Sequence, residues 1–153
     1  METKPTHEQA KLQLELFDMR REARLRQARD WYMKNYFPES FEDGMRLATP
    51  GTENGTNVMM VLGYWEQACS LLNYGLLHED LFFENNGEFF QVWERAKAIV
   101  PGFRQQFAAP HFLSNLEKSA TRFEAWIGKR APGHLERMRE FVKQMRAQTA
   151  KAA

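Results

Sequence analysis

Helical proteins build catalytic metal centres from histidines and carboxylates at set spacings, and this chain has four histidines, His7, His78, His111 and His134, in four different segments. A di-iron carboxylate centre requires paired Glu-x-x-His motifs on facing helices. The residues three places before the histidines are Lys4, Gly75, Ala108 and Ala131, none of them a carboxylate. There is no H-E-x-x-H zinc motif. The stretch Glu84-Asn-Asn-Gly-Glu88 fails as a calcium loop, because aligning Gly87 with the loop glycine puts Phe82 and Trp93 where oxygen ligands are needed. Cys69 is the single cysteine; with no Lys, Arg or His within eight residues to stabilise a thiolate, it reads as a small apolar core residue. No G-x-S-x-G elbow and no Gly-rich phosphate loop occurs. The segment Gly51-Thr-Glu-Asn-Gly-Thr56 precedes a helix start but has no basic residue nearby, so it reads as a linker. The expectation is a non-enzymatic protein with no catalytic residue, no metal and no cofactor.

One carboxylate stands apart. Glu66 is the only formally charged side chain between Asn54 and His78, and it interrupts the most apolar segment of the chain. At 100° per residue it shares a face with Met59, Leu62, Gly63, Cys69, Ser70 and Asn73. Two readings follow: a partly exposed polar edge of a core helix, or a buried carboxylate paired with Arg95, Arg104 or Arg122, since an unpaired buried charge is very costly. A Glu66 buried without a basic partner beside a cavity would instead point to a small-ligand site made from Trp65, Glu66, Trp93 and Arg104.

The elements that must position these residues are helices. Apolar residues recur at helical spacing in nearly every segment, and no alternating strand pattern exceeds four or five residues. The periodicity predicts an all-α, single-domain irregular bundle of about five to seven helices. A long N-terminal helix over 6–36 begins at a Thr6/Gln9 capping box and ends ahead of Pro38. Short helices follow over 40–48 and 76–83, with a central core helix over 57–74 between them. Further helices cover 88–100 (resuming after Pro101 to Phe107), 110–127 and the region from Pro132 or Gly133 onward. Residues 56–148 form the helical core.

The long first helix carries two apolar stripes: Leu12, Leu16, Met19 and Ala23 on one side, Leu14, Phe17, Leu25, Ala28 and Tyr32 roughly opposite. Either the helix is sandwiched within its own domain, or its N-terminal half projects and pairs with a second copy through the 12, 16, 19, 23 spacing. The similar spacing of Leu135, Met138, Val142 and Met145 in the last helix favours self-association as a homodimer. The Phe, Trp and Met residues, among them Phe103, Phe107 and Phe112, are assigned to the core.

The net charge of +1 over 153 residues conceals an uneven layout. Residues 1–48 hold nine basic and nine acidic side chains, residues 49–93 none and six, and residues 94–153 twelve and five, so the segments carry 0, −6 and +7. The acidic middle is therefore expected to pack against the basic last third. Arg20, Arg21, Arg24, Arg26 and Arg29 scatter around the helix among Asp18, Glu22 and Asp30, which reads as a solvated ion-pair face rather than a nucleic-acid contact. No run approaches the roughly 18 apolar residues of a membrane span, and the N-terminus is charged, so a cytoplasmic location is expected.

The stretch from Tyr64-Trp-Glu-Gln-Ala-Cys-Ser-Leu-Leu-Asn-Tyr-Gly-Leu-Leu-His-Glu-Asp to Leu81, then Phe90-Gln-Val-Trp-Glu94 and Arg104, resembles a widespread bacterial family of small helical domains of unknown function. The resemblance covers roughly residues 55–125 and rests on an apolar helix with an aromatic-Glu pair, a Gly-Leu turn followed by acidic residues, and a helix carrying Trp. It implies an all-α fold and no particular activity. The leading expectation is a self-associating interaction or regulatory module with a possible protein partner. The alternatives are a small-ligand binder using the Glu66 face and, third, nucleic-acid binding by the basic C-terminal region.

Overall fold

A computed structural model describes residues 3–153, and among these the chain forms nine α-helices, one short 3₁₀ turn and no strand. The capping box forms as its spacing predicts. Thr6 Oγ1 accepts from the Gln9 N–H at 3.1 Å while Gln9 Oε1 accepts from the Thr6 N–H at 3.0 Å, and this pair opens α1 (His7–Arg20). The expected single helix over 6–36 is broken. Its backbone turns at Arg21 and Glu22, whose N–H groups bond back to Asp18 and Met19, and α2 (Ala23–Asn35) starts afresh. The Glu22 carboxylate caps the new helix, accepting from the N–H groups of Arg24 at 2.9 Å and Leu25 at 2.8 Å. The two opposed stripes explain the break. One straight helix cannot turn both toward a single core, whereas two segments each bury their own: Leu16 from α1, and Leu25, Ala28 and Tyr32 from α2.

The break also removes the projecting arm and the proposed seam. Leu12 and Leu16 pack into the chain's own core, and only Met19 and Ala23 of that stripe stay exposed. Helix α1 lies along the body. The Tyr64 hydroxyl donates to the Leu16 carbonyl, and Gln9 and Gln13 donate to the carbonyls of Gly75 and Leu81.

Ser40 caps α3 (Phe41–Leu47) as its position suggests, its Oγ accepting from Asp43 N–H at 3.0 Å. Helix α4 (Glu53–Asn73) starts four residues ahead of the expected Asn57, because Thr52 caps it by accepting from Gly55 N–H at 3.2 Å; Asn54 and Gly55 are helical, not loop. Then come α5 (Glu79–Asn85), α6 (Glu88–Ala96), the 3₁₀ turn 97–99, α7 (Val100–Gln106), α8 (Ser114–Arg130) and α9 (His134–Ala152). Residues 110–113, expected to be helical, form a turn that ends with Leu113 at φ 54°.

Helix α4 is the centre of the molecule, with α2 and α8 against it and α9 packed across α2 and α8. Beside it stands an aromatic cluster in which Phe123 lies 5.0 Å from Phe90, 5.4 Å from Phe89 and 5.3 Å from Phe83, ring centre to ring centre. The acidic middle meets the basic last third as the charge layout predicts. Glu79 pairs with Arg122 at 2.6 Å, and Asp80 accepts from Trp126 Nε1 at 2.6 Å and from Arg130 at 3.1 Å. Glu94 is nearly buried and pairs with Lys97 at 2.5 Å and Arg139 at 2.9 Å, which ties α9 to α6. No helix among the described residues is long and apolar enough to cross a membrane.

Candidate functional site

The four residues expected to form a ligand site are not brought together. Trp65 is 1 % exposed, edge-on to Tyr64, and its ring centre lies 6.4 Å from that of Phe89. Trp93 packs partly buried against the core from α6. Glu66 is partly buried and pairs with none of the three candidate arginines. Arg95 is buried between α2 and α6 and donates to the carbonyls of Gln91 and Met33; Arg104 pairs with Glu117, and Arg122 with Glu79.

Glu66 has a different partner, the start of α8. Its Oε1 accepts from the Asn115 N–H at 3.1 Å and from Asn115 Nδ2 at 3.0 Å, and its Oε2 accepts from the Leu116 N–H at 2.8 Å. Leu113, at the N-cap position of α8, supplies no side-chain acceptor. The orphan N–H groups of the first turn are thus satisfied from a neighbouring helix, and a negative charge sits at the positive end of the α8 dipole. Cys69 lies behind this contact, and burial pushes its thiol up to about 12, so it is a neutral core side chain at physiological pH. No cluster of three or more His, Cys, Asp or Glu among the described residues could hold a metal ion.

The concave feature lies elsewhere. A cavity of about 590 Å³ opens between α3, the first half of α4 and α7. Helix α3 contributes Phe41, Gly44 and Met45; α4 contributes Gly55, Thr56, Val58, Met59, Met60 and Leu62; Ile99, Phe103, Phe107 and Phe112 complete the wall. None of its described lining residues is charged. Two close approaches set its floor. A Cβ on Gly44 would lie 2.5 Å from Ile99 Cγ2, and a Cβ on Gly102 would lie 2.4 Å from Phe41 Cβ, so α3 reaches the 97–106 segment only because both positions are glycine. The far wall is an aromatic stack, with Phe103 3.7 Å from Phe112 at 18° and 4.6 Å from Phe107.

Arg104 takes part indirectly. Its Nε and Nη2 donate to the Phe112 carbonyl at 3.0 and 2.8 Å, and Nη2 donates to Glu117 at 2.7 Å, so it holds the 107–113 loop in the position that places Phe112 on the wall. Phe107, expected in the core, is 52 % exposed at the mouth, as is Met59 at 53 %.

Tyr36 is the polar residue of the buried wall. It is 1 % exposed, and its hydroxyl sits 3.0 Å from where a Gly44 Cβ would be. Burial, with the negative charge of Asp43 as a lesser cause, pushes its phenol far above the ordinary range, so it is a hydrogen-bond donor at any physiological pH.

A family model described as a domain of unknown function (DUF4760) matches residues 5–123. The match takes in α1 to α7 and the first half of α8, hence the whole pocket, and stops short of α9. No curated protein and no solved structure matches the chain.

Proposed function

The chain belongs to the DUF4760 family, a domain of unknown function, and from that premise we propose that it is a non-enzymatic helical module that binds a small apolar ligand in the pocket between α3, α4 and α7. The observation that carries this reading is a concave site of about 590 Å³ walled by Met, Phe and Val side chains without a charge, within the size and character usual for small-molecule sites. Methionines at such a wall adapt their shape to the occupant at little cost. The pocket uses the first half of α4, on the face that Met59 and Leu62 share with Glu66, while Glu66 itself lies further along the helix against the start of α8.

The neutral solvatochromic dye Nile red tests the proposal. The full chain is expected to take up the dye saturably with a blue-shifted emission. Thr56→Trp, which places a large ring at an exposed position of the lining, is expected to abolish uptake while leaving the thermal midpoint unchanged. Absence of saturable uptake, or uptake indifferent to Thr56→Trp, overturns the reading.

A second reading retains self-association and moves its surface. Leu14 and Phe17, 68 % and 46 % exposed, lie on the outward face of α1 and support a homodimer through that face. Light scattering over a range of concentrations is expected to show a dimer that Phe17→Glu dissociates; a monomer throughout removes this reading.

A further inference from the structure

Three tyrosines are buried or half-buried, and two of them spend their hydroxyl on a carbonyl. Tyr32 donates to Val92 at 2.8 Å, and Tyr64 donates to Leu16. Tyr36, buried as deeply as Tyr32, makes no side-chain hydrogen bond to any described residue, yet it lines the pocket beside Gly44. A hydroxyl that has no partner in the chain and lines an open pocket is left to pair with whatever fills that pocket, water or ligand. The geometry points to a ligand class: we propose that the pocket takes a neutral, largely hydrocarbon molecule carrying one acceptor oxygen, such as a ketone, ester or aldehyde carbonyl, and that the Tyr36 hydroxyl donates to that oxygen. This rests on the pocket reading above.

The charge distribution narrows the class. A carboxylate or phosphate would enter a wall without Lys, Arg or His, near Asp43, whose own carboxylate already accepts from Glu39 N–H at 3.0 Å and Arg46 at 2.6 Å. Burying an anion there without a counter-charge is costly. A protonated amine would bring its charge to a wall that has no carboxylate to pair with it, at a similar cost. An acceptor oxygen with a hydrocarbon body uses both the phenol and the apolar wall of Met45, Met59 and Phe103.

Three compounds of matched shape separate these cases: benzylacetone (a ketone), butylbenzene (no acceptor) and phenylbutyrate (an anion), each measured by displacement of Nile red from the full chain and from Tyr36→Phe. Because the hydroxyl has no partner in the protein, Tyr36→Phe is expected to fold with an unchanged or raised thermal midpoint. It is expected to weaken benzylacetone by about two- to tenfold relative to butylbenzene, the range of one net hydrogen bond. Phenylbutyrate is expected to bind the parent chain at least about tenfold more weakly than benzylacetone. The carbonyl stretch of bound benzylacetone is expected at lower frequency in the parent chain than in Tyr36→Phe. If all three bind and the ratio and the stretch are the same in both proteins, the Tyr36 assignment is wrong while the pocket reading stands. Phenylbutyrate binding as tightly as the ketone overturns the neutral class. If none displaces the dye that Thr56→Trp excludes, the ligand class falls; if the dye itself does not bind, the pocket reading falls with it.

Discussion

Glu66 shows how much one carboxylate's role depends on what lies across from it. A charge in the middle of the most apolar helix suggests an arginine partner or a ligand, but the groups it meets are two peptide N–H donors and the amide of Asn115. Glu66→Ala leaves those donors without acceptors and is expected to cost about 1–2 kcal/mol in urea denaturation, with Glu66→Gln losing less because one oxygen remains. Glu22 plays the same part locally, and there the effect has a pH signature. Hydrogen bonds from the Arg24 and Leu25 backbone hold its carboxyl below the ordinary 4.5. With the folded value the lower of the two, the cap's contribution is present above the unfolded value and is lost as pH falls through the folded one. Amide exchange at Arg24 and Leu25 is expected to accelerate through that acid range, and Glu22→Gln is expected to lack the transition.

Among the elements, the pairing of α3 with the 97–106 segment decides whether there is a pocket. Two glycines let the backbones approach: Gly44 against Ile99, and Gly102 against Phe41. A methyl at either position collides with a neighbour that cannot simply rotate away, and overpacking of this kind costs about 1–3 kcal/mol. Gly102→Ala is expected to destabilise the chain by that amount, read as a lower urea midpoint, and to reduce dye uptake because Phe41 must shift out of the wall. A variant with parent-like stability and uptake would mean that the two elements have slack that their contact distances deny. The division of the N-terminal helix into α1 and α2 is the same kind of fact. Its cause is the competition between two apolar stripes for one core, resolved by a turn that Glu22 caps.

In the whole molecule, charge matching links the segments that are 0, −6 and +7. The matching runs through Glu79–Arg122 and Asp80–Arg130 from the middle, while Glu88 turns to the first segment and takes Arg29 at 2.5 Å. Helix α9 is the least embedded part. Val142 is its one buried residue, and its ion pairs are Arg139 on Glu94 and Glu124 and a longer one from Arg146 to Glu39 at 3.9 Å. Arg139→Ala leaves the nearly buried Glu94 with Lys97 alone. It is expected to release α9 ahead of the rest, so that amide exchange in α9 quickens while dye uptake in the pocket is retained. Loss of both together would show that α9 is an integral part of the body that holds the pocket.

The all-α class, the capping box at Thr6 and Gln9, the short helix behind Ser40, the buried inert cysteine and the complementary charge blocks were all legible in the sequence. Each depends on spacing within a few residues or on bulk composition, and near-neighbour hydrogen bonding and apolar periodicity set these whatever surrounds them. Tertiary structure alone decided the rest. Glu66 finds its partners 49 and 50 residues away. Leu12 and Leu16 look like a dimer seam until the fold covers them. Phe103, Phe107 and Phe112 look like core until the loop held by Arg104 turns them into a wall. A pocket is a space left between helices, set by how closely backbones approach and which side chains fail to meet. That Tyr36 lacks a partner where Tyr32 has one is a property of that space, which no pattern along the chain records.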